Sequence, residues 1–161
     1  MKRLRLRPWT VKKGKPWCKL VNRRLPKVTG ALWCVRVDAV NPVGKDEVVG
    51  VALVGNPVGA WADETLSVLR VAVIEGHRNA CSMLYGACSK MARASGADNL
   101  VTYTHGNEHG GSLKAAGWID GGLTDGGEHS RQMRLRAPAI DPLPKRRWWA
   151  PWSVRAQELS T

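Results

Sequence analysis

The sequence predicts an α/β (α+β) fold: a mixed central sheet of about six to seven strands, with a long helix after the fourth strand and a short helix after the fifth. Three observations predict it. Residues 66–74 and 100–103 are short, β-rich apolar runs flanking a helical stretch, the order of a parallel, right-handed crossover. Residues 31–40 and 48–54 are two further runs joined by the turn-rich Asn41-Pro42-Val43-Gly44-Lys45-Asp46, hence an antiparallel hairpin. A hydrophobic content of 43% in 161 residues is enough for one core.

Taken in order, Lys2-Arg3-Leu4-Arg5-Leu6-Arg7 alternates basic and apolar residues, which suits either a strand with one charged face or an arm that orders on phosphates. Pro8 to Pro16 reads as a broken basic segment. Trp17 to Arg24 spaces Trp17, Leu20 and Val21 at helical intervals, a short amphipathic helix that Pro26 ends. Gly50 inside the second hairpin strand signals a bulge or a close backbone approach. Leu66, Val68, Val71, Val73 and Ile74 give the apolar run of a buried strand, and Glu75 to Asn79 is a polar turn. From Ala80 the period turns helical, with Leu84, Ala87, Cys88 and Met91 on one stripe and Gly96 placed as a left-handed cap. A short helix is expected near Ser112–Ala116, a strand from Gly117, and a last strand over Ser130–Arg136. Residues 1–136 are expected to form the domain. Residues 137–161, rich in Pro and Trp, are expected to be an extended basic arm.

Charge sorts along the chain. Residues 1–36 hold twelve Lys or Arg and no acid, residues 37–130 hold six basic residues against eleven acids, and residues 131–155 return seven against one. The net charge of +12 therefore sits in the flanks, which points to a polyanion, nucleic acid first. Basic and aromatic residues interleave at both ends, so Arg5, Arg7, Arg23, Arg24, Lys145, Arg146, Arg147 and Trp148 are the candidate nucleic-acid contacts: cations neutralise phosphates and indoles stack on bases. The four cysteines lack zinc spacing; Cys81 and Cys88 read as core. No secretory signal or membrane-length apolar run is present, so a cytoplasmic protein with reduced thiols is expected.

The order of elements, with Ala115-Ala116-Gly117-Trp118 closing the short helix, resembles the GCN5-related N-acetyltransferase (GNAT) fold over roughly Trp33 to Arg136. Val49 to Val58, Arg70, Asn79 to Ala87, Thr102-Tyr103-Thr104 and Ser112 to Trp118 resemble more specifically a family of small phage and prophage GNAT-like proteins. That family is similar in turn to the Mom DNA-modification protein of phage Mu, through an Arg-Asn-x-x-Ser turn and a short helix ending in Trp. The resemblance implies acetyl-CoA or another acyl-CoA as cofactor, its pyrophosphate on the N-terminus of the long helix, where orphan N–H groups and the helix dipole bind phosphate. It also implies a DNA-modifying transferase in a phage-infected or lysogenic bacterium, adding an acyl- or glycine-derived group (carbamoylmethylation in Mom) to the exocyclic nitrogen of adenine and blocking restriction. Double-stranded DNA is then the partner, and a homodimer would suit a duplex target.

The chain departs from the acetyltransferase pattern at one place. The usual Arg/Gln-x-x-Gly-x-Gly/Ala loop is Arg78-Asn79-Ala80-Cys81-Ser82 here, without glycine. Cofactor binding is therefore assigned to Arg78, Asn79, Ser82 and Tyr85, with helix capping by Asn79 as the alternative. Tyr103, His105, Glu108 and His109 follow the second crossover strand at its carboxyl end, where open α/β sheets place their sites. His105, Glu108 and His109 could deprotonate an amine or ligate a metal such as iron, and a solvated polar loop is the plain alternative. Glu108 is the position the family resemblance favours as catalytic. Arg70, mid-strand among apolar residues, needs a partner and is either structural or site-facing.

Overall fold

The computed structural model describes residues 2–23, 25–57, 64–77, 79–106, 110–124 and 144–160. In chain order these form β1 (Leu4–Trp9), α1 (Val11–Val21), β2 (Ala31–Ala39), β3 (Glu47–Gly55), β4 (Thr65–Val73), α2 (Ala80–Ala94), β5 (Asn99–His105), α3 (Gly111–Ala115), β6 (Ile119–Leu123), β7 (Lys145–Trp149) and α4 (Val154–Leu159). One seven-stranded sheet runs β1-β2-β3-β4-β5-β7-β6. Among the described residues only the pairing of β4 with β5 is parallel, as the crossover through α2 requires.

The period-2 alternation of the strands sorts their side chains to two faces. Val35, Val37, Val54 and Val68 pack with Leu84, Cys88 and Ala92 of α2 on one face. Cys34, Val51, Leu53 and Ala72 pack with Cys18, Val11 and Trp17 of α1 on the other. Each fully buried Val or Leu among them contributes about 1.5–3 kcal/mol. Gly50 does both things its position suggests. The β2–β3 register shifts beside it, and a Cβ there would come 3.1 Å from Leu84 Cδ1, so α2 can press onto the strand. Gly96 closes α2 at φ +91, the left-handed conformation glycine adopts without strain.

Two expectations from the sequence are corrected. The first helix begins at Val11, six residues before Trp17, and ends at Val21. Pro8, Gly14 and Pro16 read as breakers, yet Thr10 caps the helix by accepting from the Lys13 N–H (3.2 Å), and Gly14 lies directly on Cys34 of β2. Burial of Val11, Trp17 and Cys18 outweighs the hydrogen bond that Pro16 removes. The second correction concerns the tail. Residues 145–149 form β7, an interior strand between β5 and β6, and not an extended arm. Trp148 and Trp149 are buried, Trp148 Nε1 donates to Thr104 Oγ1 (3.0 Å) and Trp152 Nε1 to Ser89 Oγ (2.8 Å). Ser153, fully buried, accepts the Leu100 N–H (3.1 Å) and so ties the chain end to β5. The strand expected over 130–136 and the boundary at residue 136 lie outside the described residues.

Two substitutions separate packing from propensity. Gly14→Ala gains about 1 kcal/mol of helix propensity but drives its Cβ into Cys34 Sγ, an overpacking that costs about 1–3 kcal/mol. Gly86→Ala in α2 gains the same propensity with nothing within 4 Å of its Cβ. Urea unfolding is expected to show Gly14→Ala neutral to destabilised and Gly86→Ala stabilised by up to about 1 kcal/mol; the reverse order would contradict this packing. Trp148→Ala is expected to cost about 3–5 kcal/mol, where a free arm would give no change.

Candidate active site

The site begins where β4 and β5 part. The two strands pair only through Thr65–Ser67 with Asn99–Val101. At the fork Thr102 Oγ1 donates to Val68 O (3.1 Å), a side-chain bond where the ladder would otherwise continue. Beyond it β4 stays with β3, from Val68 to Val73, while β5 turns to β7 from Val101 to His105. The β3–β4 register shifts between Leu53/Arg70 and Val54/Val68, so Leu69 is the extra residue of a bulge one step past the fork. A wedge opens between two strands whose facing backbone groups no longer serve each other, with α2 across one face and α1 across the other.

The wedge runs toward the N-terminus of α2. A cavity of about 820 Å³ covers that end, lined among others by Lys2, Val73, Glu75, His77, Asn79 and Cys81. Asn79 stands at the N-cap position but makes no side-chain capping bond; Ser82 Oγ instead donates to Asn79 O (3.1 Å). Side-chain capping by Asn79 is therefore not what holds this helix end, where the Ala80 N–H donates to His77 O (3.2 Å). Cys81 and Ser82 stand where a glycine-rich loop would have bare backbone, and both lean on their own surroundings: burial pushes the Cys81 thiol up while a hydrogen bond with Ser112 of α3 pulls it down. Tyr85, one turn on, meets Trp118 edge-to-face at 5.7 Å and 68°. It thus buttresses the seam between α2 and α3. Trp118 is itself buried, and its Nε1 has no hydrogen-bond partner. Arg78 lies outside the described residues.

On the opposite face, Tyr103 is half-buried beside Val101, Trp149 and Ile119, with the Arg147 guanidinium 5.9 Å from its ring centre. His105, two residues on, ends β5 and shares this face by alternation. Glu108 and His109 lie outside the described residues. Among the described residues no cluster of three or more His, Cys, Asp or Glu could hold a metal. Arg70 donates to Pro26 O (3.0 Å), which ties β4 to the chain after α1.

The expected nucleic-acid contacts fare unevenly. Arg5 and Arg23 are exposed; Arg24 lies outside the described residues. Arg7 is committed to an ion-pair network, with Nε 3.3 Å from the buried Asp38, which Arg36 also approaches at 3.1 Å. Arg146 pairs with Asp120 at 2.7 Å. Burial would raise the Asp120 carboxyl, but the Gly122 N–H and Arg146 hold it below the usual range. Lys145 and Arg147 are half-buried on β7. Trp148, only 1% exposed, cannot stack on a base, which corrects its assignment. Its interleaving with arginines looks the same in sequence whether the strand is buried or free. Lys2, His77 and the Leu69 bulge were missed; only a register, which the sequence alone does not fix, would have revealed the last.

Compared by sequence, the chain matches no protein-family model and no curated protein. Compared by structure, it is similar to GNAT acetyltransferases along nearly its whole length. The ribosomal-protein-S5-alanine acetyltransferase of Vibrio fischeri superposes with a TM-score of 0.62 at 9% identity, covering 92% of this chain and 93% of its own. An IAA acetyltransferase of Bacillus cereus gives 0.57 at 12% identity, covering 91% and 98%. A Bacillus subtilis acetyltransferase solved in complex with CoA gives 0.52 at 16% identity, covering 92% and 97%. The parted strands, the bulge and the uncapped helix end thus sit on the GNAT fold.

Proposed function

We propose that this protein is an acyl-CoA-dependent acyltransferase whose acceptor is an exocyclic base nitrogen in DNA, adenine's first. The observation that carries the reading is the wedge between β4 and β5, opening onto an uncapped helix N-terminus, on a fold shared with a CoA-bound acetyltransferase. The acceptor rests on charge: the chain carries +12, with twelve basic residues and no acid in its first 36. A second reading is transfer to a small amine or a protein, the class of acceptor named for the ribosomal-protein acetyltransferase that shares this fold.

The donor, when bound, supplies an activated thioester: the acceptor nitrogen bonds to the carbonyl carbon, the carbon–sulfur bond breaks, and the proton leaving nitrogen balances the departing thiolate. The chain's own groups do the rest. Lys2, His77 and the first-turn amides of α2 offer cationic and N–H contacts for phosphates. The β4 amides past Ser67 that point away from β3 are donors toward the wedge, where negative charge develops on oxygen. Tyr103 and His105 hold exchangeable protons on the face opposite α2, from which the acceptor enters. Glu108 is the general base implied by the family resemblance. An adenine would have to leave the duplex stack to reach them.

Nucleoside mass spectrometry on plasmid DNA from expressing cells tests the reading. A new adenine derivative is expected, lost in Glu108→Ala and reduced about 10²-fold or more in Tyr103→Phe. Unmodified nucleosides together with acetyl-CoA turnover on an amine would transfer the function to the second reading. Thiol labelling tests the donor site separately. Burial pushes the thiols of Cys18 to about 11 and of Cys34 and Cys88 to about 12, so at neutral pH half-buried Cys81 is expected to alkylate first. CoA should slow Cys81 labelling; an unchanged rate would mean that the donor does not cover the start of α2.

A further inference from the structure

We infer that the outward face of α1 is a docking surface for a DNA duplex, lying on the same side of the sheet as Tyr103. The inference rests on the nucleic-acid acceptor proposed above and identifies the element that grips it. α1 packs inward through Gly14 and Cys18 onto β2, β3 and β4. Its remaining face presents Lys12, Lys13 and Lys19, continued by Arg23 just past its end, all exposed, and the helix contains no acid. Lys19 Nζ is turned back onto the Arg23 and Leu25 carbonyls, 3.1 and 2.9 Å away, so its charge stays at the helix end that Arg23 extends. From Lys12 to Arg23 the row spans about 16 Å at helical rise, long enough to meet several phosphates.

Position favours the same conclusion. Arg70 of β4, two residues past the fork, donates to Pro26 O (3.0 Å) in the chain just after α1. α1 thus lies over β4 on the side of the sheet where Tyr103 and Arg147 lie, with the cationic row on its outer surface. Nearby Asp38 does not oppose it, because Arg7 and Arg36 both pair with that carboxylate. Leu20, 67% exposed in the middle of the row, leaves an apolar side chain on a face otherwise built for water. An exposed helix with cations around one apolar side chain matches a B-form major groove, wide enough for a helix and carrying thymine methyls. The deep, narrow major groove of A-form RNA admits no such element. Basic residues near the chain ends need not be extended arms: in this fold the first flank contributes β1 and the packed helix α1.

Fluorescence anisotropy of the full chain with a labelled short DNA duplex, over a salt series, tests this. Lys12→Gln/Lys13→Gln/Arg23→Gln is expected to weaken binding at least tenfold and to flatten the log–log salt slope by about 2–3, at about 0.9 per lost phosphate contact. Lys90→Gln/Arg93→Gln, on exposed positions of α2, is the control and should bind like the parent. Lys12→Arg/Lys13→Arg/Arg23→Lys should restore binding, and circular dichroism should show all variants folded. Equal loss in the α1 variant and the control, no loss in either, or tighter binding of the RNA duplex of the same sequence would each overturn the inference. Base modification is read separately on the same oligonucleotide. Binding that depends on α1 without modification keeps the docking face and removes the transferase reading; modification that survives loss of the α1 cations does the reverse.

Discussion

After Ser67 and Val101 the backbone groups of β4 and β5 stop serving each other, and the rest of the molecule is arranged to make that separation stable. Buried N–H and C=O groups left without partners are costly, so two strands part inside a sheet only if each finds another neighbour or a ligand. β7 pairs the outer edge of β5 and β3 the outer edge of β4, with a bulge at Leu69, so the edges that face each other are left to a ligand or to solvent. Thr102 finishes the fork with its hydroxyl on Val68 O. What remains open between the strands is a slot with polar backbone walls, and α2 starts close to its mouth.

Seen from this constraint, the tail is part of the site's foundation. β7 could not hold β5 away from β4 unless it were fixed on its own account. Trp148 on one face and Trp149 on the other anchor it in two separate parts of the core. Gly110, at φ +67 before α3, lets backbone lie against the Trp148 ring where any Cβ would collide. Ser153 and Trp152 then bind the chain end to β5 and α2. The helix pair α2–α3, with Tyr85 against Trp118 and Cys81 against Ser112, closes the α2 side of the slot. The opposite face of the sheet carries α1 and Tyr103.

Much of this was legible in the chain, because hydrophobic period reports which face is buried. The hairpin of β2 and β3, the β4–α2–β5 crossover, Gly50 and Gly96 all carried signals that local physics makes unambiguous. The N-terminus of α1 was not, because Pro16 and Gly14 are breakers by propensity and only contact with Cys34 reveals Gly14 as a packing device. Nor was β7: Lys145-Arg146-Arg147 has the composition of a solvated run, and the strand is fixed by long-range pairing with β5, to which local pattern is blind. The parting of the strands itself leaves no local trace. It follows from register and bulge, which are properties of neighbours. Resemblance supplied the site's location, while the charge asymmetry pointed to a polyanion without saying which element would meet it.

In the proposed function the slot between β4 and β5 holds the acyl donor, with its phosphates at the start of α2. Amide NMR of the labelled protein titrated with CoA tests it most directly. Saturable shifts are predicted at Leu69–Val73 of β4 and at Ala80–Leu84 of α2, with little change in β6 and α4. No saturable shift, or shifts centred on β6 and α4, would contradict the account.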